Sequence, residues 1–149
     1  MALNNFLHPE RVILSLKSEE KWEIMKEIIS ELYNAGLVRD NEAAFQAVKE
    51  REDLCSTGLE RGIAAPHAKT NSVTETILTI GLHKKGVDFD SLDGRPSHLF
   101  FLVLTPTESR EEHLEILGEI GKIAAVKDIC MKLLKAEDGE KVISLLKQI

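Results

Sequence analysis

The side chains best suited to chemistry near neutral pH in this 149-residue chain are its 5 histidines. A neutral imidazole is a nucleophile, and it titrates close to pH 6.5. His67 follows Gly62-Ile63-Ala64-Ala65-Pro66. The proline fixes the backbone just before the ring and keeps Ala65 extended, so His67 is expected on a rigid mount at a strand end, facing solvent. Upstream, Ser56-Thr57-Gly58 forms a small polar loop able to offer hydroxyls and backbone N–H groups to an anion. Arg51 lies three residues after Val48 and seven after Ala44, so on a helix it emerges beside the apolar face. A cation there suits the helix dipole, and its planar guanidinium also suits an anion site. His113 opens an amphipathic stretch, three and four residues before Ile116 and Leu117. Taken singly, each of these residues has an ordinary structural role: a turn histidine, a helix-end cation, a boundary histidine. His8, His83 and His98 have no spacing relation, and Cys55 and Cys130 form no C-x-x-C motif. No metal site and no cofactor are expected.

The elements that must position these residues follow from hydrophobic period. Val12 to Leu16 is a short β-branched run that predicts a strand. Ser18 is the expected N-cap of a first helix, with Trp22, Met25, Ile28, Ile29 and Leu32 inward and Gly36 as its stop. Asp40 caps a second helix to about Glu52, with Ala44, Phe45, Ala47 and Val48 buried. Asp53 to Gly62 reads as a loop. Ile63-Ala64-Ala65 predicts a strand that Pro66 ends or confines to an edge. Thr76 to Leu82 and Leu99 to Leu104 are two more strands, the second apolar on both faces as in a sheet centre. Glu111 to Ala125 is a helix with Leu114, Leu117, Ile120 and Ile123 or Ala124 inward. Lys127 to Leu134 and Gly139 to Gln148 are two shorter helices. The expected fold is a three-layer α/β/α sandwich around a mixed sheet, with element order β-αα-βββ-ααα and one domain over residues 1–149.

Composition narrows the function. Hydrophobic residues make up 43% and charged residues 30% of the chain, as in ordinary globular proteins. The net charge of −6 argues against general nucleic-acid binding. The longest apolar run, Leu99 to Leu104, is far too short to span a bilayer, so no membrane insertion is expected. The N-terminus lacks the basic-then-apolar pattern of a signal peptide. The expected compartment is the cytoplasm, with reduced thiols.

Read in order, Arg51, Ser56-Thr57-Gly58, Gly62 to His67, Asp90-Ser91-Leu92-Asp93-Gly94-Arg95-Pro96 and His113 to Leu117 form one pattern. From about Phe6 to Leu146 it resembles the IIA component of the bacterial phosphoenolpyruvate-dependent phosphotransferase system (PTS), fructose/mannitol type, which includes the nitrogen-regulatory IIA proteins. The resemblance implies that His67 is the phosphorylated residue, that His113 faces it and assists, and that Arg51 stabilises the phosphorylated form. It implies HPr as phosphoryl donor and a IIB domain as acceptor. In the alternative, regulatory branch, phosphorylation state controls binding to regulators or transporters. The sequence departs from the family at Ala65, usually bulkier, and at Ala68, usually glycine. Ile63, Ala64, Ala65 and Ala68 are expected to flank His67 as an uncharged docking surface. The implied chemistry is sound. A phosphorylated imidazole is a good leaving group, and transfer needs positioning and charge neutralisation. A phosphoryl group brings about two negative charges, and one cation about 4 Å from a unit charge near a protein surface contributes up to about 4 kcal/mol.

Overall fold

The structure is a computed structural model describing residues 2–149. Two 3-10 turns, Ala2–Phe6 and Pro9–Arg11, lead into β1 (Val12–Ile13), α1 (Lys21–Asn34) and α2 (Asn41–Leu54). Then come β2 (Ile63–Ala64), β3 (His67–Lys69), β4 (Ile77–Val87) and β5 (Ser97–Thr105). Three helices follow: α3 (Arg110–Ala124), α4 (Ile129–Leu134) and α5 (Gly139–Lys147). The sheet order is β1-β4-β5-β2, with β3 also on β5. β4 and β5 are antiparallel, whereas β1 on β4 and β2 and β3 on β5 are parallel.

β5 is the middle of the sheet, and its sequence explains why. Leu99, Phe101 and Val103 join Ile116, Ile120, Ile123, Leu133 and Val142 in the core beneath α3, α4 and α5. Phe100, Leu102 and Leu104 join Ile24, Met25, Ile28, Ala44 and Val48 beneath α1 and α2. A strand apolar at every position can be buried only between two layers, which gives the three-layer α/β/α sandwich. Each such side chain contributes about 1.5–3 kcal/mol on burial.

The element order differs from expectation in one place. Four strands, not three, lie between α2 and α3. Pro66 has no N–H to donate, so the ladder breaks there; its carbonyl still accepts from Val103 N at 3.0 Å, and the chain returns to β5 as β3. His67 therefore starts a strand and does not end one. The cap of α1 also differs: Glu20, not Ser18, accepts from Trp22 N at 2.9 Å. Ser18 is outside the helix, its N–H held by Glu27 at 2.9 Å. Asp40 caps α2 as expected, accepting from Ala43 N at 3.0 Å. α2 runs on to Leu54, which places Glu52 inside the helix and buried. Along α3 the inward stripe is His113, Ile116, Glu119, Ile120 and Ile123, whereas Leu114 is 63% exposed. The stripe began one residue earlier than the apolar pattern suggested, because a histidine occupies its first position.

Candidate histidine site

Three elements converge at one end of β5. β3 pairs with Val103 to Thr105 and starts with His67. α2 packs beside β3 and ends with Arg51 and Leu54 in its last turn. α3 begins after β5 and carries His113 in its first turn. Arg51, Leu54, His67, Lys69, His113 and Leu114 line an open cavity of about 580 Å³.

The two imidazoles are tilted against each other, ring centroids 5.3 Å apart and planes at 59°. Both residues are buried, at 8% and 5% exposure, where the sequence suggested a ring presented to solvent. His67 Nδ1 lies 2.8 Å from the Ala65 carbonyl. A carbonyl only accepts, so Nδ1 carries the proton and the lone pair of the neutral ring is on Nε2. His113 Nδ1 lies 2.8 Å from Thr105 Oγ1. Burial pushes the His67 pKa below its ordinary value; the Ala65 hydrogen bond opposes this, and the Arg51 charge adds to it. Burial lowers His113 further, to about 4, with help from His67, Lys69 and Arg51. Near pH 7 the pair is therefore neutral: two imidazoles without charge beside two cations.

Arg51 donates from Nη1 to the Cys55 carbonyl at 3.0 Å, closing the end of α2 while it lines the cavity. Ser56, Thr57 and Gly58, expected as anion donors, do not line it. Ser56 Oγ donates to the Phe89 carbonyl at 2.7 Å, and Gly58 N donates to Ser56 Oγ at 3.1 Å. The Thr57 N–H and hydroxyl both go to the Glu52 carboxylate. A Cβ on Gly58 would lie 2.7 Å from the Phe89 carbonyl oxygen, so close packing accounts for this glycine. The two hydroxyls and the Thr57 and Gly58 N–H groups are already engaged. Ile63, Ala64, Ala65 and Ala68 are likewise buried, not a surface, because they pack into the cores on the two faces of the sheet. The exposed apolar groups at the cavity are Leu54, 83% exposed, and Leu114, 63% exposed.

Sequence reasoning passed over Glu52, Lys21, Lys69 and Thr105. Lys69 stands next to an alanine in β3, and Thr105 is the last residue of a strand; nothing local marks either. Glu52 and Lys21 are 31 positions apart, yet Lys21 Nζ is 2.9 Å from Glu52 Oε2, with both side chains buried. A carboxylate directly after Arg51, on the adjacent helix face, was the available signal.

A three-layer α/β sandwich that places a neutral histidine pair beside a guanidinium at the end of its central strand is a small domain with a paired-histidine cavity. The chain belongs to the family described as "Phosphoenolpyruvate-dependent sugar phosphotransferase system, EIIA 2", whose model matches residues 5–149. It is thus a IIA component of a phosphotransferase family. It is 35% identical over 148 residues to the PTS system fructose-specific EIIABC component of Bacillus subtilis, covering 99% of this chain and 23% of that protein. The chain therefore spans about a quarter of that relative. It is 37% identical over 116 residues to the PTS system fructose-specific EIIA component of Haloferax volcanii, covering 78% of this chain and 75% of that one. The nitrogen regulatory protein IIA-Ntr of Neisseria meningitidis superposes with TM-score 0.88 at 27% identity, covering 98% and 99% of the two chains. The same fold occurs in Escherichia coli IIA mannitol, solved in complex with phosphorylated IIB mannitol, at TM-score 0.79 and 22% identity over 96% of this chain and 98% of that one. Among the described residues no helix is long and apolar enough to cross a membrane.

Proposed function

We propose that His67 takes a phosphoryl group on Nε2 from the phosphohistidine of HPr and hands it to a IIB domain in sugar uptake. The observation that carries this reading is the His67 Nδ1–Ala65 carbonyl bond of 2.8 Å, which leaves the Nε2 lone pair free on a ring kept neutral by burial. In the transfer, that lone pair forms the new P–N bond. The old P–N bond breaks with its electron pair passing to the HPr imidazole. Nδ1–H stays on the Ala65 carbonyl throughout and stabilises the positive character the ring acquires. Arg51 and Lys69 neutralise the phosphoryl oxygens, which in-line transfer at a protein–protein contact requires. His113 assists without being phosphorylated: when Thr105 donates its hydroxyl to Nδ1, the His113 proton is on Nε2, a neutral donor for the phosphoryl oxygens. Leu54 and Leu114 supply the apolar rim for the partner. The exposed free thiol of Cys55 suits the cytoplasm, where HPr and IIB work.

The test is intact-mass analysis after incubation with phosphoenolpyruvate, enzyme I and HPr. One acid-labile HPO₃ adduct is expected on the wild type and none on His67→Ala. An adduct that persists in His67→Ala overturns the assignment. The regulatory reading uses the same His67 chemistry with a different output, and the 0.88 superposition on the nitrogen regulatory protein favours it over any unrelated function. Passing the phosphoryl group to a purified fructose-type IIB domain separates the two: rapid transfer supports transport, and no transfer from a fully phosphorylated protein supports regulation.

A further inference from the structure

A buried polar chain runs from α1 to the ring of His67, and the transfer uses only its last link, the Ala65 carbonyl. Lys21 Nζ is 2.9 Å from Glu52 Oε2 and 3.3 Å from Asp90 Oδ2. The Lys21 ammonium also lies 4.8 Å from the Phe89 ring centroid, so aromatic surface and two carboxylates hold it in place. The Glu52 carboxylate receives the Thr57 N–H at 2.8 Å and the Thr57 hydroxyl on its other oxygen. The Thr57 carbonyl accepts from Ala65 N at 3.0 Å. The Ala65 carbonyl takes His67 Nδ1–H at 2.8 Å. Glu52, Thr57, Ala65 and His67 are thus joined by an unbroken series of hydrogen bonds, every member of it buried.

The two ends of this series differ in what they tolerate. A bare Ala65 carbonyl could turn with its peptide plane, and the His67 ring would then be free to hold its proton on either nitrogen. That carbonyl belongs to the Ala65–Pro66 peptide. The Ala65 N–H to Thr57 bond fixes the preceding peptide, and the restricted backbone before Pro66 then sets the direction of the carbonyl. Thr57 is fixed in turn by two bonds to one carboxylate. A buried carboxylate needs a counter-charge, and Lys21 supplies it. The pairing also keeps an uncompensated negative charge away from a histidine that must receive a dianion.

We infer that Glu52 is a positioning residue, held by Lys21, that locks His67 in the Nδ1–H form with Nε2 free by fixing Thr57 and, through the Ala65 N–H, the backbone that aims the Ala65 carbonyl. The inference rests on the proposed role of His67 as acceptor. Removing one partner of a buried pair leaves an unpaired charge and endangers folding, so the informative variants are Lys21→Met/Glu52→Gln, which removes both charges, and Thr57→Val, which removes only the hydroxyl bond. Nitrogen-15 shifts of the His67 ring are recorded above the imidazole titration range (about 6.5), alongside the rate of phosphoryl acceptance from HPr. The wild type should show one tautomer, protonated on Nδ1. The double variant, folded by circular dichroism, should show a mixture of both tautomers and accept phosphoryl roughly ten- to a hundredfold more slowly, at an unchanged half-saturating HPr concentration. Thr57→Val should fall between. A role confined to stability would lower the melting temperature and leave the tautomer unmoved. A folded double variant with the wild-type ring signature and a rate within twofold overturns the inference. If the wild type accepts no phosphoryl group at all, the acceptor role fails, while the ring spectra still decide whether Glu52 sets the tautomer.

Discussion

Two cavities lie at opposite ends of β5 and differ in kind. One, of about 790 Å³, opens near Gly62 and His98 and is lined by Arg61, Arg95, Lys127 and Cys130. The other, of about 580 Å³, holds His67 and His113. The larger has more cations but a single imidazole. Burial pushes its Cys130 thiol up to about 11, so it stays protonated near neutral pH. His98 Nδ1 is occupied by the His83 carbonyl at 2.9 Å. In the smaller cavity two neutral imidazoles line the opening, and Nδ1 of each is fixed by a hydrogen bond. Capacity for group transfer follows from fixed, correctly protonated side chains more than from volume.

The contrast breaks first at Arg51. If its guanidinium neutralises the phosphoryl group, Arg51→Ala should shorten the lifetime of the phosphorylated protein by about a hundredfold, within the roughly 4 kcal/mol ceiling for one cation close to a surface charge. Arg51→Lys should fall between, since it keeps the charge and loses the planar fork. Equal decay of all three, measured by phosphohistidine loss over time, would make Arg51 a helix-end residue only. The rim comes next. Leu54→Asp or Leu114→Asp should raise the half-saturating HPr concentration about tenfold, equivalent to about 1.4 kcal/mol, with an unchanged melting temperature. Ala68→Asp is unsuitable for this test, because Ala68 is buried against α2 and the charge would disrupt the core.

His113 sharpens the comparison through pH. Its folded pKa of about 4 is below the ordinary histidine value near 6.5. Within that window the unfolded chain binds more protons than the folded one, so stability rises with pH. Stability should be complete above pH 6.5 and decline towards pH 4, with His67 contributing in the same direction. Urea unfolding across that range should show a loss on the order of 2 kcal/mol in the wild type and a shallower slope in His113→Gln. The same variant should still accept phosphoryl from HPr and pass it on more slowly. The smallest effect belongs to the other end of β5. Arg61→Ala should leave both phosphoryl acceptance and decay within twofold of wild type, with at most about 1 kcal/mol lost from its bond to the Ala125 carbonyl. A large change there would mean that the two cavities communicate.

Much of the fold was legible because burial leaves a periodic trace. The unbroken apolar run in β5 implied a covered central strand, and Asp40 marked the start of α2. Leu114 misled because the apolar pattern alone cannot tell a core residue from one exposed at the rim of a cavity. Ser56 to Gly58 misled for a related reason: a polar loop advertises donors, and only the folded chain shows what already occupies them.

By itself the sequence determined the candidate groups. His67 behind Pro66, Arg51 at a helix end and His113 at a helix start are local facts, because proline geometry and helical period act over a few residues. The tertiary structure decided everything that depends on pairing across the chain. It brought the rings to 5.3 Å, made both neutral by burial, turned Nδ1 of His67 to a carbonyl, and joined Lys21 to Glu52. Protonation state, tautomer and counter-charge are properties of an environment assembled from α1, α2, β3, β5 and α3 together. No window of neighbouring residues contains that environment.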